Sequence, residues 1–205
     1  MRQVQGRRCR IALYNVREVA VRFMQFPIQV ETGSGAFVPG MVCAMTRIHL
    51  DQIETIWRAM LQATEQPDAD WNWGYKLRIS MSEPRFEAYV VEIDDLAQGV
   101  MLIETQWHRS QMEAQVRPRL VYVEYLAAAP WNRRIIEDPP DFVGIGRALM
   151  AFARRRSADL GYGGRVGLHA LPVAEGFYRQ LQMPDYGADP DYDGLVYFEY
   201  GLLQR

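Results

Sequence analysis

The sequence predicts a mixed-sheet α/β domain, and three observations point there. Strand-like and helix-like segments alternate through the second half of the chain. Two apolar strand patterns near the middle are separated by a short polar turn, the signature of a hairpin. Finally, 205 residues with 49% hydrophobic and 23% charged side chains suffice for one well-buried core and exclude disorder as the main state.

Residues 1–40 are the least patterned. Val19–Val30 has enough apolar residues for a strand or a short helix, and Glu31–Gly40, with three glycines and a proline, reads as a loop. Two readings stay open for 1–40, a genuine N-terminal extension or residues added ahead of a domain that begins near Met41. The expected division is therefore 1–40 as an extension and 41–205 as the domain.

From there the pattern sharpens. Leu50–Ala63 sets Ile53, Ile56, Trp57, Met60 and Leu61 at helical spacing behind Asp51, and Pro67 ends it. Trp71–Met81 reads as a second, poorer helix. Glu87–Ile93 and Val100–Trp107 read as strands around the turn Asp94–Gly99, and Leu120–Ala127 is a third strand, rich in valine and tyrosine. A proline-containing loop, Pro130–Phe142, leads to the helix Gly144–Leu160, with Gly161 where a C-cap glycine would sit. Arg165–Leu171 is a strand, Pro172–Leu181 a helix opened by proline, and Leu195–Tyr200 a closing strand.

Charge and cysteine content narrow the function. The net charge is −2, from 23 basic and 25 acidic side chains, whereas a protein that neutralises nucleic-acid phosphates normally carries a basic excess. Cys9 and Cys43 cannot build a disulfide framework or a four-cysteine zinc site, and read as free thiols of a reducing compartment. No apolar run approaches a membrane span, and the arginines at 2, 7, 8 and 10 precede no signal-like stretch. A cytoplasmic protein with no membrane partner is expected.

The most informative stretch follows the third strand, where Val143-Gly144-Ile145-Gly146-Arg147-Ala148 opens a helix. A Gly-x-Gly at a helix start lets phosphates approach the backbone, where free N–H groups and the helix dipole favour negative charge. Taken alone, the pair is as readily a ligand-free glycine loop. A dinucleotide fingerprint fits badly, because Leu149 stands at the third small position and a proline-rich loop intervenes. A Walker loop is excluded, since no Gly-Lys-Ser/Thr follows.

The stretch from about Met45 onward resembles the GCN5-related N-acetyltransferase (GNAT) family. Its acyl-coenzyme A signature, Gln/Arg-x-x-Gly-x-Gly/Ala, is matched by Asp141-Phe142-Val143-Gly144-Ile145-Gly146 running into a helix. Upstream, Leu126-Ala127-Ala128-x-Pro130 is similar to the strand end before the family's pyrophosphate loop. Downstream, Ala174-x-x-Phe177-Tyr178-x-x-Leu181-x-Met183 resembles its Ala-x-x-Phe-Tyr helix. The departures are Asp141 for Gln or Arg, a longer loop whose Arg133 and Arg134 could supply charge instead, Leu171 for a common asparagine, and Gln182-Met183 for Gly-Phe.

The resemblance implies a mixed, mostly antiparallel sheet flanked by helices, with acetyl-CoA as co-substrate and no metal. It implies transfer of an acetyl group to a primary amine by direct attack in a ternary complex. Backbone at Leu126, Ala127 and Ala128 would hold the pantetheine and thioester. The N–H groups of Val143, Gly144, Ile145, Gly146, Arg147 and Ala148 would take the pyrophosphate. Tyr178 matches the family's general acid, against the plain reading of a core aromatic beside Phe177. Glu124, two residues before Leu126 and so expected on its face, is the candidate base, against an exposed strand glutamate. Tyr122 could line the acceptor pocket, His108 and His169 are further candidate bases, and Trp71 and Trp73 could stack on an acceptor or simply pack. Arg154, Arg155 and Arg156 read as a solvated helix face.

The acceptor is expected to be a small-molecule or peptide amine, with a homodimer through Leu195–Tyr200 left open. The rival readings are a non-catalytic acyl-CoA-binding or interaction module of the same fold, and an enzyme that acetylates aminoacyl-tRNA or protein. The near-neutral charge counts against the tRNA version.

Overall fold

The computed structural model describes residues 25–112 and 117–203. Nine strands form one sheet: β1 Gln25–Thr32, β2 Phe37–Ala44, β3 Phe86–Ile93, β4 Leu96–Glu104, β5 Val121–Ala128, β6 Phe142–Val143, β7 Val166–Ala170, β8 Asp185–Asp189 and β9 Leu195–Tyr200. Their order is β6-β1-β2-β3-β4-β5-β7-β9-β8. Every pairing is antiparallel except β5 with β7. The expected mostly antiparallel mixed sheet is thus the observed one.

Residues 25–44 differ from expectation. The stretch read as a loop is the tip and second strand of a hairpin, and the boundary drawn at residue 41 falls inside β2, which pairs with β3. The side chains alternate, with Phe26, Ile28 and Val30 turned toward the core and Pro27, Gln29 and Glu31 exposed. Pro27, Pro39 and Gly40 hide that period in the sequence, because proline and glycine are poor strand residues. Gly35, at φ +86°, closes the turn. The part of the expected extension at residues 1–24, with Cys9 and the N-terminal arginines, lies outside the described residues.

Helices cover both faces. On one lies α4, Ile145–Asp159, whose Ile145, Leu149, Phe152 and Ala153 pack on Val91, Met101, Val121 and Val123. On the other, α1 Arg47–Gln52 runs through a π-helical turn, Ile53–Trp57, into α2 Arg58–Ala63, and α3 Trp73–Ser82 follows. Their Leu50, Trp57, Leu61, Trp73 and Leu77 pack on Ala88, Val90, Val100 and Leu102. Alternate residues of β3 and β4 therefore feed two cores, so both strands are apolar throughout. Asp94 and Asp95, both at positive φ, make the β3–β4 turn only two residues long, and β4 starts at Leu96 rather than Val100. A short helix α5, Glu175–Gln180, precedes β8.

The arginine run on α4 is not a solvated face. Successive helical residues lie about 100° apart, so three of them span much of the circumference. Arg156 is mostly buried, with its guanidinium 2.6 and 2.7 Å from the carboxylate of Glu87, which also accepts the Tyr89 hydroxyl at 2.7 Å. Arg154 lies over the Tyr200 ring, and only Arg155 is mostly exposed, pairing with Asp159.

Candidate active site at the parting of β5 and β7

β5 and β7 register at two positions only, Val121 with Val166 and Tyr122 with Gly167. Beyond Tyr122 the strands separate, although β5 stays paired with β4 as far as Ala128. Alternate N–H and C=O groups of a strand point to opposite edges, so the β5 edge facing β7 has no strand partner over residues 123–128, and of its groups Arg133 takes the Ala128 carbonyl. An interior gap in a sheet is a slot for an extended polar chain. Leu126, Ala127 and Ala128 lie on this stretch of β5.

Where the strands part, β5 carries a bulge. Tyr125 is opposite Leu102 and Val123 opposite Ile103, which leaves Glu124 without a cross-strand partner. The bulge breaks the two-residue alternation. Val123, Leu126 and Ala128 pack toward α4, while Tyr125 and Ala127 pack toward α1 and α3. The expectation that Glu124 shares a face with Leu126 is thereby corrected. Its electrostatic neighbours are Lys76, Arg85, Glu104 and His108, and it acts in turn on Tyr122, Tyr125 and Tyr192.

Glu124 is half-buried and has neither a hydrogen bond nor an ion pair among the described residues. Burial pushes its carboxyl above the usual range, with Glu104 adding to this and His108, Arg85 and Lys76 opposing. Nearby side chains are tightly bonded. Glu104 accepts backbone N–H groups of Gln106, Trp107 and His108 together with His108 Nδ1 at 3.0 Å. Burial would raise its pKa, but these hydrogen bonds hold it below the ordinary value. The His108 ring stacks on Tyr122 at 3.8 Å. The Tyr122 hydroxyl is 2.6 Å from His169 Nδ1, and His169 Nε2 is 3.0 Å from Asp189 Oδ2. With the carboxylate taking the Nε2–H, Nδ1 is left to accept from the tyrosine. Burial holds His169 below its ordinary pKa, toward that neutral form, while Asp189 opposes. His108 thus neighbours Glu124 directly, and His169 connects to it through Tyr122, each as a member of a hydrogen-bonded chain.

The helix start is cut as the glycines suggest. Gly144 caps α4 at φ +86°, a left-handed conformation that favours glycine. A Cβ on Gly146 would meet the Phe177 ring at 2.9 Å, so the two sequence motifs touch here. The Ala148 N–H is already bonded to the Gly144 carbonyl at 2.9 Å, and Val143 registers with Glu31 in the sheet. The N–H groups with no intrahelical acceptor are those of Gly144, Ile145, Gly146 and Arg147, within the expected stretch 143–148. Arg133 is committed elsewhere: it forks onto Asp68 at 2.6 and 2.7 Å and holds the Ala128 carbonyl at 2.8 Å. Asp141 is exposed and joins the loop to β1, its carbonyl accepting the Gly33 N–H.

Tyr178 is buried in α5 between Phe177 and Phe198, and burial raises its pKa. Its hydroxyl has no hydrogen-bond partner among the described residues. Trp71 and Trp73 neither stand free nor simply pack in the core. Together with Tyr125 they surround the Lys76 ammonium, which lies 3.6 Å from the Tyr125 centroid and 5.6 Å from each indole. Sequence reasoning missed Lys76, whose helical position carries no motif.

The comparisons agree with this architecture. No family model matches the sequence, and no curated protein does. Among solved structures, a Desulfovibrio desulfuricans protein assigned to the GNAT family of acetyltransferases matches with a TM-score of 0.54 at 13% identity, over 80% of this chain and 99% of that one. The chain has the GNAT fold. The aminoglycoside 6'-N-acetyltransferase of Enterococcus faecium matches with a TM-score of 0.52 at 13% identity, covering 80% of this chain and 98% of its own. Arabidopsis thaliana Naa50, solved with the bisubstrate analogue CoA-Ac-MVNAL, matches with a TM-score of 0.51 at 11% identity, covering 80% and 99%. At such identities the likeness is one of fold.

The GNAT fold here also has a wide cavity of about 1190 Å³ between β2, α1 and α3, lined by residues such as Cys43, His49, Leu77, Arg78 and Glu92. None of the sequence-predicted site residues lines it. Cys43, His49 and Glu92 approach metal-ligand spacing there, a cluster invisible in sequence because its members are so far apart. His49 Nδ1 accepts the Thr46 N–H at 3.0 Å, capping α1, and Nε2 faces Glu92 at 2.8 Å. The ring is therefore employed as a cap. Burial, with Glu92, pushes the Cys43 thiol up to about 11, away from the thiolate a metal would need.

Proposed function

We propose that the protein is an N-acetyltransferase that moves an acetyl group from acetyl-CoA to a primary amine by direct attack. The observation that carries this reading is Glu124, a half-buried carboxylate without a partner, held by a bulge at the mouth of the β5–β7 gap. An amine arrives protonated and must lose a proton to become a nucleophile. A carboxylate with a raised pKa, unengaged by any donor, is suited to take that proton.

Acetyl-CoA supplies the thioester. The chain's contribution is placement and proton handling. Leu126, Ala127 and Ala128 present the β5 edge on which pantetheine amides would pair, and Ile145, Gly146 and Arg147 offer N–H groups to the pyrophosphate. Val143, Gly144 and Ala148 shape that turn. The Tyr178 hydroxyl, otherwise unengaged, is the group proposed to protonate the departing thiolate. Tyr122, His169 and Asp189 form a bonded chain beside Glu124 by which a proton could leave the base. Both ring nitrogens of His169 are bonded, which favours Glu124 over it as the first acceptor, whereas His108 is engaged through Nδ1 alone and is the rival base. β5 is held along its other edge by β4, so a thioester paired to it would be oriented before the amine arrives.

The matched aminoglycoside and peptide-analogue enzymes suggest the acceptors to try first, aminoglycosides and peptide α-amines. The test is thiol release from acetyl-CoA in the presence of an amine panel, with calorimetric binding of acetyl-CoA measured alongside. Turnover that collapses in Glu124→Gln supports the assignment. Binding without turnover on any amine would favour the non-catalytic module instead. No binding at all would overturn both.

A further inference from the structure

Of the 23 lysine and arginine side chains in this sequence, a single one is lysine. A chain that uses arginine everywhere else has placed its one primary amine side chain inside the protein. Lys76 is 5% exposed, and its ammonium has no hydrogen bond or ion pair among the described residues. Its ammonium lies on the Tyr125 ring with Trp71 and Trp73 beside it, and Glu124 acts on it across the bulge. The aromatic faces hold a cation but also hold a flat, neutral amide, so the cage suits the side chain before and after acylation. Arginine would fill the cage equally well as a cation, yet it cannot act as an amine nucleophile.

From this juxtaposition we infer that Lys76 is itself an acceptor: the protein acetylates its own lysine from bound acetyl-CoA, with Glu124 as the base. This rests on the acetyltransferase reading above. Burial lowers the Lys76 pKa to about 8 against the pull of Glu124, so an appreciable share is neutral near physiological pH. In the step, Lys76 Nζ attacks the thioester carbonyl carbon. A C–N bond forms, the C–S bond breaks, the nitrogen's proton passes to Glu124, and coenzyme A leaves as a thiolate that takes up a proton. The products are Nε-acetyllysine and free coenzyme A, with no oxidant or further reactant required.

A sole lysine makes the test simple. The folded full chain is incubated with acetyl-CoA, its intact mass is measured, and a tryptic digest locates the adduct. Acetylation blocks cleavage after Lys76, so the peptide 59–76 gives way to 59–78. A heat-denatured sample at equal concentration reports uncatalysed acylation, and calorimetry reports acetyl-CoA binding independently. The inference expects one acetyl group at Lys76, at least tenfold faster in the folded chain than in the denatured one, slowed in Glu124→Gln and absent in Lys76→Arg. Binding without an adduct, an adduct only at the chain's α-amino group, or equal labelling of denatured protein overturns it while the cofactor site stands. Absence of both binding and adduct overturns this inference together with the acetyltransferase reading.

Discussion

Glu87 and Glu124 are glutamates on central strands of one sheet, and their surroundings are opposite. Glu87, on β3, is buried and finished: two nitrogens of Arg156 and the Tyr89 hydroxyl occupy its carboxylate. Glu124, on β5, is half-buried and unfinished, with charges nearby but no bonded partner among the described residues. The first arrangement is what a core needs when it buries a charge, since an unpaired one is costly. The second makes sense where a proton or a ligand is to be received. The sheet repeats the contrast: β3 and β4 pair along their length, while β5 and β7 part after two residues.

Exchanging the partners' fortunes tests that comparison. The largest effect is expected on catalysis from Glu124→Gln, which should lower amine acetylation by about 10²–10⁴-fold, measured as thiol release, without unfolding the protein. Next comes Glu87→Ala, which strands Arg156 in the interior. It should cost about 3–5 kcal/mol in urea denaturation while the surviving folded molecules keep their acetyl-CoA affinity. Tyr178→Phe should reduce turnover about 10²-fold, near the lower end of the acid–base range, with an unchanged melting temperature, because the hydroxyl it removes has no partner among the described residues. Smallest is Arg147→Glu, an exposed reversal in the first turn of α4, which should weaken acetyl-CoA binding about tenfold by calorimetry.

The pH dependence separates the two glutamates further. Glu124 has its folded pKa raised, chiefly by burial, so folding favours its protonated form. Stability on its account is greatest below the unfolded carboxylate pKa and declines as pH rises through the folded one. Glu124→Gln should therefore be more stable than the parent at neutral pH, and that advantage should vanish in acid, as followed by thermal melts across pH. A site carboxylate that costs stability is a common signature of function. Activity should move in the opposite sense, falling as pH drops through the raised Glu124 pKa, at a higher pH than for an ordinary carboxylate.

Much of this was legible in the residues. The helix at 145–159 announces itself through Ile145, Leu149, Phe152 and Ala153, and Gly144 and Gly146 mark a start that is shaped by a positive φ and by contact with Phe177. The hairpin 25–44 was not legible, because Pro27, Pro39 and Gly40 interrupt an alternation that tertiary pairing with β3 and β6 nonetheless enforces. The bulge at Glu124 was hidden for a different reason: a two-residue period assumes an unbroken ladder, and nothing in VYVEYLAA says where one residue slips. Ion pairs such as Arg133 with Asp68 and Arg156 with Glu87 join residues far apart in sequence, so their arginines looked available. Lys76 escaped notice because a cage is assembled from two elements, and a helix pattern reports only one.

The claim on which the rest depends is that the gap between β5 and β7 receives acetyl-CoA. Hydrogen exchange of backbone amides, with and without acetyl-CoA, reads that location directly. The account predicts new protection at residues 123–128 and 144–147, with the cavity segment 43–49 unchanged. Protection confined to that cavity segment, or none in the gap at saturating acetyl-CoA, would contradict it.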